Sequence, residues 1–108
     1  MSEAFIEVAA SSRVKEGRGH SVNIDGQKIA LFRSNGKIYA LRDSCPHQGA
    51  PLSDGYVEDD CAVCVYHDWK FHLKDGAFDH NELVKIPTFK VIEKEKKIYV
   101  QFPASSKL

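Results

Sequence analysis

At 108 residues the chain suits a single domain, residues 1–108, and any second active centre would have to sit on another polypeptide. Lys plus Arg and Asp plus Glu balance at 15 each, so there is no basic excess to meet the phosphate backbone of nucleic acid. Hydrophobic residues make up 43% of the chain but come in short bursts, far below the roughly 20 consecutive apolar residues of a membrane span, and neither nucleic acid nor membrane is expected as a partner.

The start, Met1-Ser2-Glu3-Ala4-Phe5, has no positive stretch followed by an apolar one, so no secretory signal is read and a cytoplasmic chain is expected. Three cysteines in a reducing compartment argue against a disulfide framework and leave metal or redox chemistry. Val22-Asn23-Ile24, Asp25-Gly26 and Ile29-Ala30-Leu31-Phe32 read as one hairpin. The same run, Asn35-Gly36 and Ile38-Tyr39-Ala40-Leu41 read as a second, because Asn-Gly suits the positive φ angles of a tight turn.

A third hairpin is centred on Asp75-Gly76, between Trp69-Lys70-Phe71-His72-Leu73 and Ala77-Phe78. The last is expected to pair Phe89-Lys90-Val91-Ile92 with Ile98-Tyr99-Val100-Gln101-Phe102 through the charged stretch Glu93 to Lys97. No stretch of a dozen residues has helical periodicity, which leaves an all-β domain of antiparallel sheets. The segment Asp43 to Trp69 holds all three cysteines and reads as an insertion carrying the chemistry on a β scaffold. At the C-terminus, Ser106-Lys107-Leu108 spells a peroxisomal address, which has meaning only in a eukaryote.

Within that segment stand Cys45-Pro46-His47 and, after sixteen intervening residues, Cys64-Val65-Tyr66-His67. Thiolate and imidazole are the ligands that iron and zinc prefer, and two Cys–His pairs supply four positions of one closed site. A one-residue gap in one pair and a two-residue gap in the other is not the usual zinc-finger order of paired cysteines followed by paired histidines.

This spacing resembles the signature of the Rieske [2Fe–2S] family. Cys45 to Gly55, His67-Asp68-Trp69-Lys70-Phe71 and Asp75-Gly76 are similar to soluble Rieske ferredoxins and to the small subunits of NAD(P)H-dependent nitrite reductases, with likeness from about Phe5 to Phe102. The resemblance implies a Rieske-type fold, a cluster-binding subdomain of two loops at about 43–73, and one [2Fe–2S] cluster per chain. It further implies that Cys45 and Cys64 hold one iron and His47 and His67 the other.

The function it implies is that of a soluble one-electron carrier, the ferredoxin of an oxygenase or reductase system. A flavin or NAD(P)H-linked reductase would be its donor, and an oxygenase or nitrite reductase its acceptor. The alternatives are the small subunit of an assimilatory nitrite reductase, or a zinc-binding or cluster-free adaptor. A catalytic oxygenase would need a further mononuclear iron site in a larger domain, so no catalytic residue of the chain's own is expected.

Gly49 can bring bare backbone close to such a cluster, while Pro46 and Pro51 stiffen the loop. Asp68 stands where the family usually has Gly, and Asp tolerates left-handed backbone at small cost. In high-potential members an extra cysteine in each loop forms a disulfide, and a Ser and a Tyr donate hydroxyl hydrogen bonds. Here Ala50 and Tyr66 hold the first pair of positions, and Trp69 and Phe71 the second, so a potential near the low end of the roughly −150 to +300 mV span is expected.

Cys61 lies three residues from Cys64 on a strand and would face the opposite side of the sheet, as packing. His20, His72 and His80 have no partner at ligand spacing and read as solvated or hydrogen-bonded. Trp69, Phe71, Phe78 and Phe89 read as core and loop cover. Asp54, Glu58, Asp59 and Asp60 read as a solvated turn, with the steering of a basic partner as the sharper alternative.

Overall fold

The computed structural model describes residues 4–44, 51–65 and 68–102. Among them there is no α-helix, and twelve strands form three antiparallel sheets. The first sheet has the order β1-β12-β11, built from β1 (Ala4–Ala10), β11 (Val91–Lys94) and β12 (Lys97–Phe102). The second has the order β10-β4-β3-β2, from β2 (Gly19–Ile24), β3 (Gln27–Ser34), β4 (Lys37–Arg42) and β10 (Thr88–Phe89). The third runs β5-β6-β7-β8-β9, from β5 (Tyr56–Glu58), β6 (Cys61–Val63), β7 (Lys70–His72), β8 (Ala77–Phe78) and β9 (Asn81–Lys85).

The second sheet is the middle layer, and its sequence explains why. Side chains alternate across a strand, so a strand covered on both faces reads as a continuous apolar run. Ile29-Ala30-Leu31-Phe32 is that run: Ile29 and Leu31 join Ile38, Ala40, Ile98 and Val100 in one buried cluster. Ala30 and Phe32 point the other way, joining Leu41, Leu52, Ala62, Cys64 and Phe71 in a second. The first cluster takes in β12 of the first sheet, and the second takes in β6 and β7 of the third.

The first three hairpins form as read. Ile24 pairs with Gln27, Ser34 with Lys37, and Phe71 with Phe78. Asp25, Gly26, Asn35 and Gly36 all have the positive φ of a tight two-residue turn. The last hairpin needs correction. Phe89 does not continue into Val91; it pairs with Ala40 in the middle sheet, and only Val91 to Lys94 pairs with β12. The turn there is Glu95-Lys96 alone, both at positive φ.

The segment Asp43 to Trp69 is also more than an insertion. Its strands β5 and β6 pair with each other, and β6 with β7, so they supply two of the five strands of the third sheet. Their turn is Asp59-Asp60, at φ 54° and 59°. Asp is among the few non-glycine residues that adopt this conformation readily. The predicted acidic turn is therefore a hairpin turn of two carboxylates.

Candidate metal centre

Strand β6 delivers Cys64 at its C-terminal end. Ala62 and Cys64, two residues apart, share the face that packs on Phe71 and Leu52, and Cys64 is fully buried. The chain then closes on itself: Cys64 N–H donates to Trp69 O at 2.9 Å, and Asp68 N–H donates to Cys64 O at 2.8 Å. Asp68 stands at φ 57°, the left-handed conformation expected of it. Behind the turn, Trp69 stacks on Phe78 with centroids 4.4 Å apart, and Phe71 lies 5.4 Å from Phe78. These aromatics are core and cover, as read from the sequence.

The other loop is clamped at its feet. Asp43 is buried, and its carboxylate accepts from Ser53 N–H at 2.7 Å and from Ser53 Oγ–H at 2.7 Å. These two hydrogen bonds satisfy a buried carboxyl group and hold Asp43 and Ser53 together. Gly55 then passes so close to β6 that an added Cβ would lie 1.9 Å from Val63 O. Only glycine fits between the two loop roots. Cys45, Pro46, His47, Gln48, Gly49, Ala50, Tyr66 and His67 lie outside the described residues, as does the tripeptide Ser106 to Leu108. What is described fits a buried metal ligand at 64, with a free thiol and a left-handed turn beyond it.

Cys61 faces away from Cys64, as expected, but it is more than packing. The register of β6 and β7 puts it opposite His72, and Cys61 Sγ lies 3.5 Å from His72 Nδ1. On the far edge of the ring, His72 Nε2 is 3.1 Å from Asp79 Oδ1. His72 therefore has two partners, which sequence spacing did not reveal. The signal was available in the Asp75-Gly76 and Asp59-Asp60 turns, whose registers together decide what stands opposite Cys61. Burial pushes the Cys61 thiol up, and the carboxylates of Asp79, Asp59 and Asp60 add to this against Lys70.

The remaining predicted residues fall as follows. Lys70 Nζ lies 3.9 Å from Glu58 and 3.8 Å from Asp59, and Ser34 Oγ donates to Asp60 at 2.5 Å, so these acids are committed locally. Asp54 is exposed. His20 is half-buried, with burial and Arg13 holding its pKa down, and His80 meets the edge of Phe78. Among the described residues no helix is long and apolar enough to cross a membrane.

Comparison with known proteins places these features. The first curated relatives, 46%, 41% and 36% identical in their matched parts, are larger proteins, and the chain spans 18%, 17% and 21% of their lengths. The ferredoxin component of a naphthalene 1,2-dioxygenase system from Pseudomonas putida is 36% identical over 76 residues, which is 70% of this chain and 73% of that one.

Among solved structures, one described as an NADH-dependent nitrite reductase small subunit from Mycobacterium tuberculosis superposes with a TM-score of 0.86 at 27% identity. It covers 96% of this chain and 99% of its own. A chain from the complex of reduced oxygenase and oxidized ferredoxin in carbazole 1,9a-dioxygenase gives a TM-score of 0.83 at 28% identity, covering 95% and 97%. The pattern of the Rieske [2Fe-2S] domain matches residues 4–90, which takes in both Cys–His pairs and every strand from β1 to β10. On that match the chain belongs to the Rieske [2Fe–2S] domain family, whose cofactor is one [2Fe–2S] cluster per chain.

Proposed function

We propose that this chain is a one-electron carrier whose cluster is held by Cys45 and Cys64 on one iron and by His47 and His67 on the other. The observation that carries the reading is likeness to ferredoxin-sized proteins along most of their length, with the Cys–His quartet inside the matched region. When bound, the cluster would supply one-electron redox chemistry. The chain's own residues set the terms. Cys64 keeps its sulfur out of water, Asp43 and Ser53 hold the roots of the first loop, and exposed Pro51 and Val65 flank the two loops where a partner would dock.

The donor in this reading is a flavin or NAD(P)H-linked reductase and the acceptor an oxygenase, all in the cytoplasm. The near end-to-end superposition on a nitrite reductase small subunit supports a second reading, in which the acceptor is a nitrite reductase. The first test is composition: the purified chain is expected to be brown and to hold two iron and two sulfide. Bound zinc with neither iron nor colour would sink both readings and favour an adaptor. The second test is turnover with a reductase and either an oxygenase or a nitrite reductase component, where the acceptor whose rate rises names the partner.

A further inference from the structure

Three strands of the third sheet converge on one spot away from the Cys64 turn. Cys61 opens β6, His72 closes β7 directly opposite it, and Asp79 follows β8. The backbone holds all three. Asp79 N–H donates to Lys70 O at 2.8 Å, Gly76 N–H to His72 O at 2.7 Å, and Leu73 N–H to Asp60 O at 3.0 Å. One ligand atom from each of Cys61, His72 and Asp79 lies within 4.8 Å of the other two. The sulfur is buried, while the side chains of His72 and Asp79 are 38% and 41% exposed, so an ion can arrive from solvent on their side.

We propose that Cys61, His72 and Asp79 form a second metal site, distinct from the cluster ligands, for a borderline divalent cation of the zinc type with its fourth position open to water. The donor set makes the choice of ion. A sulfur and an imidazole nitrogen disfavour magnesium and calcium, which take oxygen ligands, and one carboxylate completes a mixed set familiar for zinc. The spacing agrees. Zinc–sulfur and zinc–nitrogen bonds of about 2.3 and 2.0 Å at a tetrahedral angle set the two donors about 3.5 Å apart. Cys61 Sγ and His72 Nδ1 stand 3.5 Å apart. Asp79 completes the set, with a carboxylate oxygen inside the same 4.8 Å grouping as a ligand atom of Cys61 and one of His72.

The surroundings favour a cation over a catalytic thiol. Asp59, Asp60 and Asp79 act on Cys61 against Lys70, and with burial they keep the thiol protonated, which is the wrong state for a nucleophile. A divalent ion reverses this locally, because its charge drives off the thiol proton, and binding then releases that proton to solvent. The depression beside the site is lined by His72 and Asp79 together with Lys74, Asp75, His80 and Asn81, so Lys74 is a positive charge among its walls and His80 a neighbouring imidazole.

The test is equilibrium dialysis of the cluster-loaded protein against zinc chloride with excess magnesium, followed by elemental analysis for zinc and iron. One zinc per chain is expected with iron unchanged. Cys61→Ala, His72→Gln and Asp79→Asn should each weaken zinc binding by at least about tenfold while iron stays at its wild-type content. Asp79 and His72 are partly exposed, so their variants keep the test valid if the buried Cys61 change disturbs folding. Cobalt in place of zinc should give a sulfur-to-cobalt charge-transfer band that is absent from Cys61→Ala. No bound zinc, unchanged affinity in His72→Gln or Asp79→Asn, or zinc gained only as iron is lost would each overturn the site. Iron content is read separately, so a chain that fails to hold its cluster is recognised as such.

Discussion

The middle sheet and the third sheet are built by different rules. Strands β2, β3 and β4 have six, eight and six residues, and two-residue turns with a glycine set their register. They can be read from local pattern because each is held by its own neighbours in sequence. The third sheet has strands of two to five residues, too short to specify themselves. It is positioned by contacts outside its strands: the Asp43–Ser53 clamp, the bare backbone of Gly55 and the closed turn from Cys64 to Trp69. Regular pairing supplies the platform, and irregular contacts supply the site.

The sharpest way to break this comparison is to substitute, one at a time, Cys61 of β6 and Cys64 just beyond it. Cys45→Ser, Cys64→Ser or His67→Ala is expected to abolish stable cluster incorporation, because each removes one of the four proposed ligands. Cys61→Ser, on the other face of the same strand, should keep full colour and two iron per chain. Visible spectra and iron analysis of purified variants decide it. A colourless Cys61→Ser protein beside a brown Cys64→Ser one would reverse the assignment.

That contrast also shows what the sequence made legible. Cys61 and Cys64 were separable in advance because a strand alternates its faces, and the four ligand candidates were separable because their spacing matches one family. The partners of Cys61 were not legible. They depend on two registers in series, and a one-residue slip in either would place another side chain opposite it. Strand β1 escaped notice because the mixed run Ala4–Ala10 becomes a strand only by pairing with β12, almost the whole chain away. Phe89 reads as part of the last hairpin, and pairs in the middle sheet instead, for a related reason. It is continuous in sequence with Val91 but leaves that strand to cover the middle layer.

A smaller but still large effect is expected where the third sheet touches itself. Gly55→Ala would put a methyl 1.9 Å from Val63 O, and backbone cannot move aside as a flexible side chain can. A loss of about 3 kcal/mol is expected in urea unfolding. Gly26→Ala makes the comparison, since that site is open space and carries only the cost of a positive φ, about 1 kcal/mol. Equal losses in the two would mean that the loop roots are less tightly set than the middle sheet's turns.

The electronic counterpart of this difference lies at Trp69 and Phe71. Neither has a hydroxyl to stabilise the extra negative charge of a reduced centre, and Phe71 is fully buried among apolar side chains. A midpoint near the low end of the Rieske span, about −150 mV, is therefore expected by voltammetry near neutral pH. A value above about +100 mV would mean that donors from the loops outweigh the missing hydroxyls.

The smallest expected effect tests the scaffold alone. Arg33 on β3 donates to Val14 O at 2.9 Å and Ser11 O at 3.1 Å, and reaches both oxygens of Glu93 on β11, at 3.2 and 2.8 Å. It ties the middle sheet to the first. This hydrogen-bonded guanidinium, the largest influence on Glu93, holds the carboxyl below its ordinary value of 4.5 even though burial opposes it. A carboxylate depressed in the folded state contributes stability that is present above its unfolded pKa and is lost as pH falls through the folded one. The pair is partly exposed, so its worth is about 1 kcal/mol at neutral pH. Glu93→Gln should therefore lower the urea midpoint near pH 7, and the gap to wild type should close once the pH drops below the depressed pKa. A gap that stays constant from neutral pH down into that range would show that Glu93 acts by packing and not by charge.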